Sequence, residues 1–158
     1  MNQTPAPAAN ELVLTRRIAA SPEKLFRAWT EPELMKQWFC PRPWTTPVIE
    51  TDVRPGGANF ILMRGPQGEE MPNRGQYLAV VPGRLLVFTD AYVGDWQPSE
   101  KPFFTGVISF EDDGAGGTLY TARARHWTEA DRAAHEAMGF HEGWGKATDQ
   151  LEALVTSL

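Results

Sequence analysis

The middle of the chain is a series of short β-like runs separated by turn signals, and this feature most restricts the folds open to it. Pro-Gly, Gly-Gly and Asp-Gly pairs recur between the runs, and most of the gaps are of hairpin length. Strands joined by such short connections lie antiparallel. With one N-terminal strand, the pattern predicts about seven strands, at residues 11–18, 47–53, 58–64, 74–81, 84–91, 103–111 and 118–126.

Two short helices are predicted between the first strand and the second. Ser21 followed by Pro22 and Glu23 indicates a helix start, because Ser accepts a hydrogen bond from a free amide and Pro fits the first turn. The carboxylate of Glu23 favours the positive end of the helix. A second helix is predicted to begin at Pro32 and to end before Pro41.

The last segment of the chain has the periodicity of one amphipathic helix of roughly 28 residues that begins after Thr128. Gly139, Gly143 and Gly145 lie near its midpoint, where glycine is unfavourable, and they predict a bend or close packing against the sheet. The predicted inner face carries Ala134, Ala137, His141, Trp144, Thr148, Leu151 and Val155.

This order of elements predicts an α+β fold. A curved antiparallel sheet of about seven strands (strand, two short helices, six strands) would surround the long C-terminal helix, which covers one face of the sheet. Because one helix does not fill a strongly curved sheet, we expect a cavity between them, with the two short helices closing one mouth. Residues 1–10 are predicted to be a flexible tail and residues 11–158 a single domain.

Composition and charge exclude several classes of function. The net charge is −5, from 15 basic and 20 acidic residues without a Lys/Arg cluster, so we expect no nucleic-acid partner. No apolar run is long enough for a membrane span. The N-terminus lacks the pattern of a signal peptide, and the single cysteine, Cys40, suits a reducing compartment, so a cytoplasmic location is expected.

Several short motifs follow one another in an order and spacing that are together fairly specific, over about residues 11–157. They are Ser-Pro-Glu-Lys-Leu-Phe-Arg-Ala-Trp at 21–29, Glu-Pro at 31–32, Trp-Phe at 38–39 with Pro41, Arg-Pro-Gly-Gly at 54–57, Pro-Gln-Gly at 66–68, Gly-Gln-Tyr at 75–77, Arg-Leu at 84–85, Gly-Thr at 117–118 and Gly-Phe-His-Glu-Gly-Trp at 139–144. This pattern resembles the helix-grip (START/Bet v 1-like, SRPBCC) superfamily. More narrowly, it is similar to bacterial proteins related to the C-terminal domain of the activator of Hsp90 ATPase.

The resemblance implies a cavity that holds a small hydrophobic or amphipathic molecule. Some members of the superfamily are polyketide cyclases or dehydratases and others only bind a ligand. Binding is therefore the leading hypothesis for this chain. The alternatives are a polyketide cyclase/dehydratase-like enzyme that uses the same cavity and a protein-interaction module, either homodimeric or associated with a chaperone.

Aromatic residues give the strongest indication of a site. The chain has six tryptophans, and large aromatic side chains are costly to leave in water. Trp96 lies in an irregular segment, where an aromatic side chain suits a lid or a dimer contact. Phe60 and Met63 cannot share a strand face. The predicted ligand contacts, with packing in the core as the alternative for each, are Trp38, Trp44, Phe60, Tyr77, Phe88, Trp96, Phe104, His126, His141 and Trp144.

Catalytic chemistry has weaker support. His141 is a candidate general acid/base on the inner helix face, with Tyr77 as a hydrogen-bond donor; the alternative is a hydrogen-bonded core histidine. His135 and His141 lie about 240° apart around a helix, so they do not face one metal ion. We expect no metal and no cofactor, since three His and one Cys do not suggest a zinc site. Cys40 follows a helix C-terminus and is interpreted as structural.

Overall fold

The structure is a computed structural model that describes residues 8–158. The strands are β1 Glu11–Ile18, β2 Thr45–Thr51, β3 Ala58–Arg64, β4 Glu70–Val81, β5 Leu85–Thr89, β6 Phe104–Asp112 and β7 Thr118–His126. The helices are α1 Pro22–Thr30, α2 Pro32–Met35, α3 Glu129–Ala137 and α4 Phe140–Thr156. The predicted α+β helix-grip fold is confirmed. Among the helices of residues 8–158, none is long and apolar enough to span a membrane.

The seven strands form one antiparallel sheet in the order β1-β7-β6-β5-β4-β3-β2. Hairpins join the strands from β2 to β7, as the turn signals predict, and β1 pairs with β7. The two short helices therefore carry the chain from one edge of the sheet to the other. β4 begins four residues earlier than predicted, at Glu70, and extends the hairpin with β3.

The N-terminal segment is joined to strand β7 from Asn10 onward. Residues 1–7 of the predicted tail at 1–10 lie outside the described residues. The amide of Glu11 donates to the Ala8 carbonyl at 3.0 Å, and the Asn10 side chain donates to the His126 carbonyl at 2.6 Å. Asn10 therefore belongs to the end of the β1–β7 pair.

Helix α1 begins as its sequence predicts. The Ser21 hydroxyl accepts a hydrogen bond from the Lys24 amide at 3.3 Å, and Pro22 is the first helical residue. Its inner face buries Leu25, Ala28 and Trp29. The helix is thereby held against the sheet.

The C-terminal helix is broken at Gly139, so the prediction of one helix of roughly 28 residues is wrong. Gly139 has a φ of +96°, in the left-handed region that ends α3 and lets α4 start in a new direction. Ala134 and Ala137 of α3 are consequently exposed, whereas Thr148 of α4 is buried. Residues on either side of the break do not share one face.

Large side chains pack in the space between the sheet and α4. The Trp29 and Trp38 ring centroids lie 4.9 Å apart, and the Trp29 indole donates to the Tyr120 hydroxyl at 3.0 Å. Fully buried Leu151 and Val155 of α4 belong to the same cluster. The centre of the space where we expected a cavity is therefore occupied by aromatic and aliphatic core.

Candidate functional site

An open cleft of about 660 Å³ lies at the flank of α4, between its C-terminal half, the segment 36–44 and the start of β2. Like the predicted cavity, the cleft is bounded by the sheet and by α4. The residues that line it are Lys36, Gln37, Cys40, Arg42, Pro43, Trp44, Thr45, Thr46, Gln150, Ala153, Leu154 and Ser157.

The apolar wall of the cleft is built around Trp44. The Trp44 amide donates to the Pro41 carbonyl at 3.1 Å, which closes a turn after α2. A Cβ on Gly65 would lie 2.9 Å from Cζ2 of Trp44, so the indole packs directly on the backbone of that glycine. Leu154 supplies apolar surface from α4. The wall thus presents an aromatic face and an aliphatic side chain to one small volume.

Gln150 of α4 holds the opposite wall in place. Its Nε2 donates to the carbonyls of Trp38 at 2.9 Å and Cys40 at 2.7 Å, and its Oε1 accepts from the Arg42 amide at 3.0 Å. Lys146 adds a bond from Nζ to the Arg42 carbonyl at 3.2 Å. Because one side chain bonds three successive parts of the loop, the cleft is preformed, as is usual for ligand sites.

Two buried side chains lie at the base of the cleft. Thr46 is 3% exposed, and its Oγ1 has no hydrogen-bond partner among residues 8–158. A buried hydroxyl without a partner is unfavourable, so Thr46 is a local cost to the stability of the fold. Burial raises the pKa of the Cys40 thiol to about 11, which keeps it neutral and unreactive at neutral pH.

The structure places the predicted ligand contacts in six different environments. Trp44 lines the cleft. Trp38 and Tyr77 are 3% and 2% exposed and pack in the core; the Trp38 indole donates to the Ala28 carbonyl at 2.9 Å, and burial raises the pKa of Tyr77. The Phe88 ring packs against the same core, 5.8 Å from that of Trp29. These three have the packing role that the sequence left as the alternative.

Phe60 lies on the outer face of the sheet, so its predicted place in the cavity is wrong. Its neighbour Ile61 is buried with Met35 and Ile49 on the inner face, and alternation directs Phe60 to the other side. The guanidinium carbon of Arg74 lies 4.4 Å from the Phe60 ring centroid, in a cation–π contact.

Trp96 is on an exposed loop outside the cleft. Its side chain is 53% exposed and stacks edge-on against Tyr92, with ring centroids 5.5 Å apart. Asp95 and Trp96 both have positive φ, and the Trp96 amide donates to the buried Gln76 carboxamide at 2.8 Å. That loop is thus shaped by its own contacts, and a lid or dimer role for Trp96 stays a prediction.

A cluster at the N-terminal end of α4 brings together Phe104, His126 and Trp144. At its centre is a residue to which the sequence analysis assigned no role in a site. That residue is His135 of α3, whose ring centroid lies 5.3 Å from that of Phe104 and 6.1 Å from that of Trp144. His135 Nδ1 is 2.8 Å from His126 Nε2. The only sequence signal for this pair is a spacing of nine residues across a strand–helix junction, which specifies no contact.

His141 faces solvent, so its predicted place on the inner helix face is wrong. Its side chain is 60% exposed, and Nε2 lies 2.9 Å from Oε2 of Glu136. The hydrogen bond from His141 is the main reason that the pKa of Glu136 is lowered. His141 lies in the first turn of α4, where its neighbour Phe140 takes the buried position instead.

Sequence reasoning missed Lys36, Arg42, Thr46, Gln150 and Leu154 as site residues. Trp44 could be predicted because it follows the proline-containing segment 41–43. The other residues could not, because the hydrogen bonds that assemble the cleft join residues more than 100 positions apart. Within residues 8–158 no group of three or more His, Cys, Asp or Glu side chains is arranged to hold a metal ion.

A seven-stranded antiparallel sheet that grips a C-terminal helix defines a helix-grip protein. The family model described as activator of Hsp90 ATPase homolog 1-like protein matches residues 19–156, and the chain belongs to that family. No curated protein matches the chain significantly.

Solved structures agree with this assignment. A protein from Nitrosomonas europaea is 40% identical, with a TM-score of 0.92, and the match covers 96% of this chain and 97% of that one. A protein from Mycobacterium smegmatis is 26% identical, with a TM-score of 0.79 and coverage of 95% and 93%. A protein from Chromobacterium violaceum is 25% identical, with a TM-score of 0.76 and coverage of 92% and 97%.

Proposed function

We propose that this protein binds a small amphipathic molecule in the cleft between α4 and the start of β2. The observation that carries the proposal is the combination of the Trp44 wall with a loop that Gln150 holds in place around a cleft of about 660 Å³. Ligand sites combine apolar walls with a few fixed polar groups in volumes of this order. The helix-grip fold, known for cavities that hold ligands, supports the same function.

The cleft supports binding better than the centre of the fold does. Core side chains such as Trp38 and Tyr77 occupy the space under α4, and a ligand there would have to displace them. A ligand in the cleft would meet Trp44 and Leu154 without disturbing that core. The bonds from Gln150 hold the loop open, so little ordering is required on binding.

A neutral fluorescent dye, phenylnaphthylamine, tests the proposal, since its emission rises when it leaves water. We expect saturable binding to the whole chain, and we expect Ala153→Phe to weaken it roughly tenfold or more, because Ala153 is exposed in the cleft and the larger side chain fills it. Ala133→Phe, on exposed α3 outside the cleft, is the matched control and should leave the affinity unchanged. Equal affinity in the two variants would refute the proposal.

A further inference from the structure

The charged residues of the cleft are all positive. Lys36 and Arg42 are among the twelve residues that line it, and none of the twelve is Asp or Glu. The chain as a whole carries a net charge of −5. A local excess of positive charge in an acidic protein attracts anions to that place.

The fold provides little compensating negative charge for either cation. The Arg42 guanidinium has one hydrogen bond, a long contact of 3.5 Å from its NH2 group to the Gln37 carbonyl, and no carboxylate of residues 8–158 forms a salt bridge with it. Residues 1–7 contain no Asp or Glu. Within the described residues, Lys36 forms a salt bridge with Glu33, at 3.4 Å, and that carboxylate is 86% exposed. Such a surface pair contributes little and is readily exchanged for a ligand.

We infer that the occupant of the cleft is a small amphipathic anion, with a carboxylate-like charged end and an apolar body; this inference rests on the proposed function. The charged end lies at Lys36 and Arg42, where a guanidinium can bind a planar carboxylate with two hydrogen bonds. The apolar body packs on Trp44 and Leu154. A neutral molecule of the same shape would leave Arg42 without an anionic partner.

A pair of dyes with the same ring system separates charge from shape. Anilinonaphthalene sulfonate carries a negative group that phenylnaphthylamine lacks. In the double variant Lys36→Gln/Arg42→Gln we expect the affinity for the sulfonate to fall roughly fivefold to tenfold and that for the neutral dye to change less than about twofold. In the wild-type protein, high salt should weaken the binding of the sulfonate but not that of the neutral dye. The control Arg84→Gln/Lys101→Gln removes two exposed cations outside the cleft and should affect neither dye.

Three results would contradict the inference. If Ala153→Phe blocks the neutral dye but the double variant binds the sulfonate as tightly as the wild-type protein, the charge inference is wrong and the proposed function stands. If Ala153→Phe leaves the affinities for both dyes unchanged, the dyes bind elsewhere, and the inference and the proposed function fall together. An equal loss of affinity for both dyes in the double variant would also contradict the inference, because it would mean that the substitutions had changed the shape of the cleft.

Discussion

His126 Nε2 and His135 Nδ1 lie 2.8 Å apart and join the end of β7 to α3. His126 Nδ1 lies 2.9 Å from the Asn10 carbonyl, which can only accept, so that nitrogen carries the proton. In the neutral pair, Nε2 of His126 then accepts from Nδ1–H of His135. None of the residues of α3 is buried, so this bond is a main attachment of α3 to the sheet.

Acid should weaken that attachment. Burial, and then the charge of His126, lower the pKa of His135 from 6.5 to about 4. A lowered histidine pKa means that the unfolded chain binds the proton more tightly, so the stability is lost as the pH falls from about 6.5 to about 4. Allowing for partial exposure, we expect the pair to account for a loss of about 1 kcal/mol between about pH 7 and pH 5.

Urea unfolding at those two pH values checks this expectation. His135→Gln should lose less stability on acidification than the wild-type protein does. Ala133→Gln is the control, because Ala133 is exposed on α3 and the change neither adds nor removes a titratable group, and it should follow the wild-type pH dependence. The same acid loss in all three proteins would contradict the assignment.

Gly106 makes room for the Phe88 ring on the neighbouring strand. The two residues face each other in the β5–β6 pair, and a Cβ on Gly106 would lie 2.4 Å from the Phe88 ring. Gly106→Ala should therefore destabilise the protein by about 1–3 kcal/mol, the usual cost of overpacking. Gly143→Ala in α4 meets no atom within 4 Å and should stabilise by up to about 1 kcal/mol, because alanine is the better helix former. Opposite shifts in thermal unfolding are expected, and a stable Gly106→Ala would contradict the packing.

Cys40 should be a slow thiol in the folded protein. It is buried, and burial raises its pKa to about 11, so the reactive thiolate is scarce near neutral pH. Labelling with a disulfide reagent should be at least about tenfold slower for the native chain than for the chain in urea. Because Cys40 is the single cysteine, the labelling rate reports on it directly and no variant is needed. Equal rates would show that the base of the cleft is open.

The fold is predictable because its signals are local. Turn residues separate the strands, and the Ser21 cap and Pro22 start α1, each within a few positions along the chain. The break at Gly139 could not be told from a bend, since a glycine tolerates both. The site depends on long-range contacts: Gln150 meets Cys40, and His135 meets His126, only after the sheet has formed. Periodicity identifies a buried face, but it does not identify what that face touches.

The six indole N–H resonances of the tryptophans provide the most direct test of the cleft. In a nitrogen–proton correlation spectrum titrated with phenylnaphthylamine, the resonance lost in Trp44→Phe should shift with the dye. Trp96 and Trp127 are 53% and 51% exposed but lie outside the cleft, and their resonances should stay in place. A shift at Trp96 or Trp127 with Trp44 unmoved would place the ligand elsewhere and contradict the account.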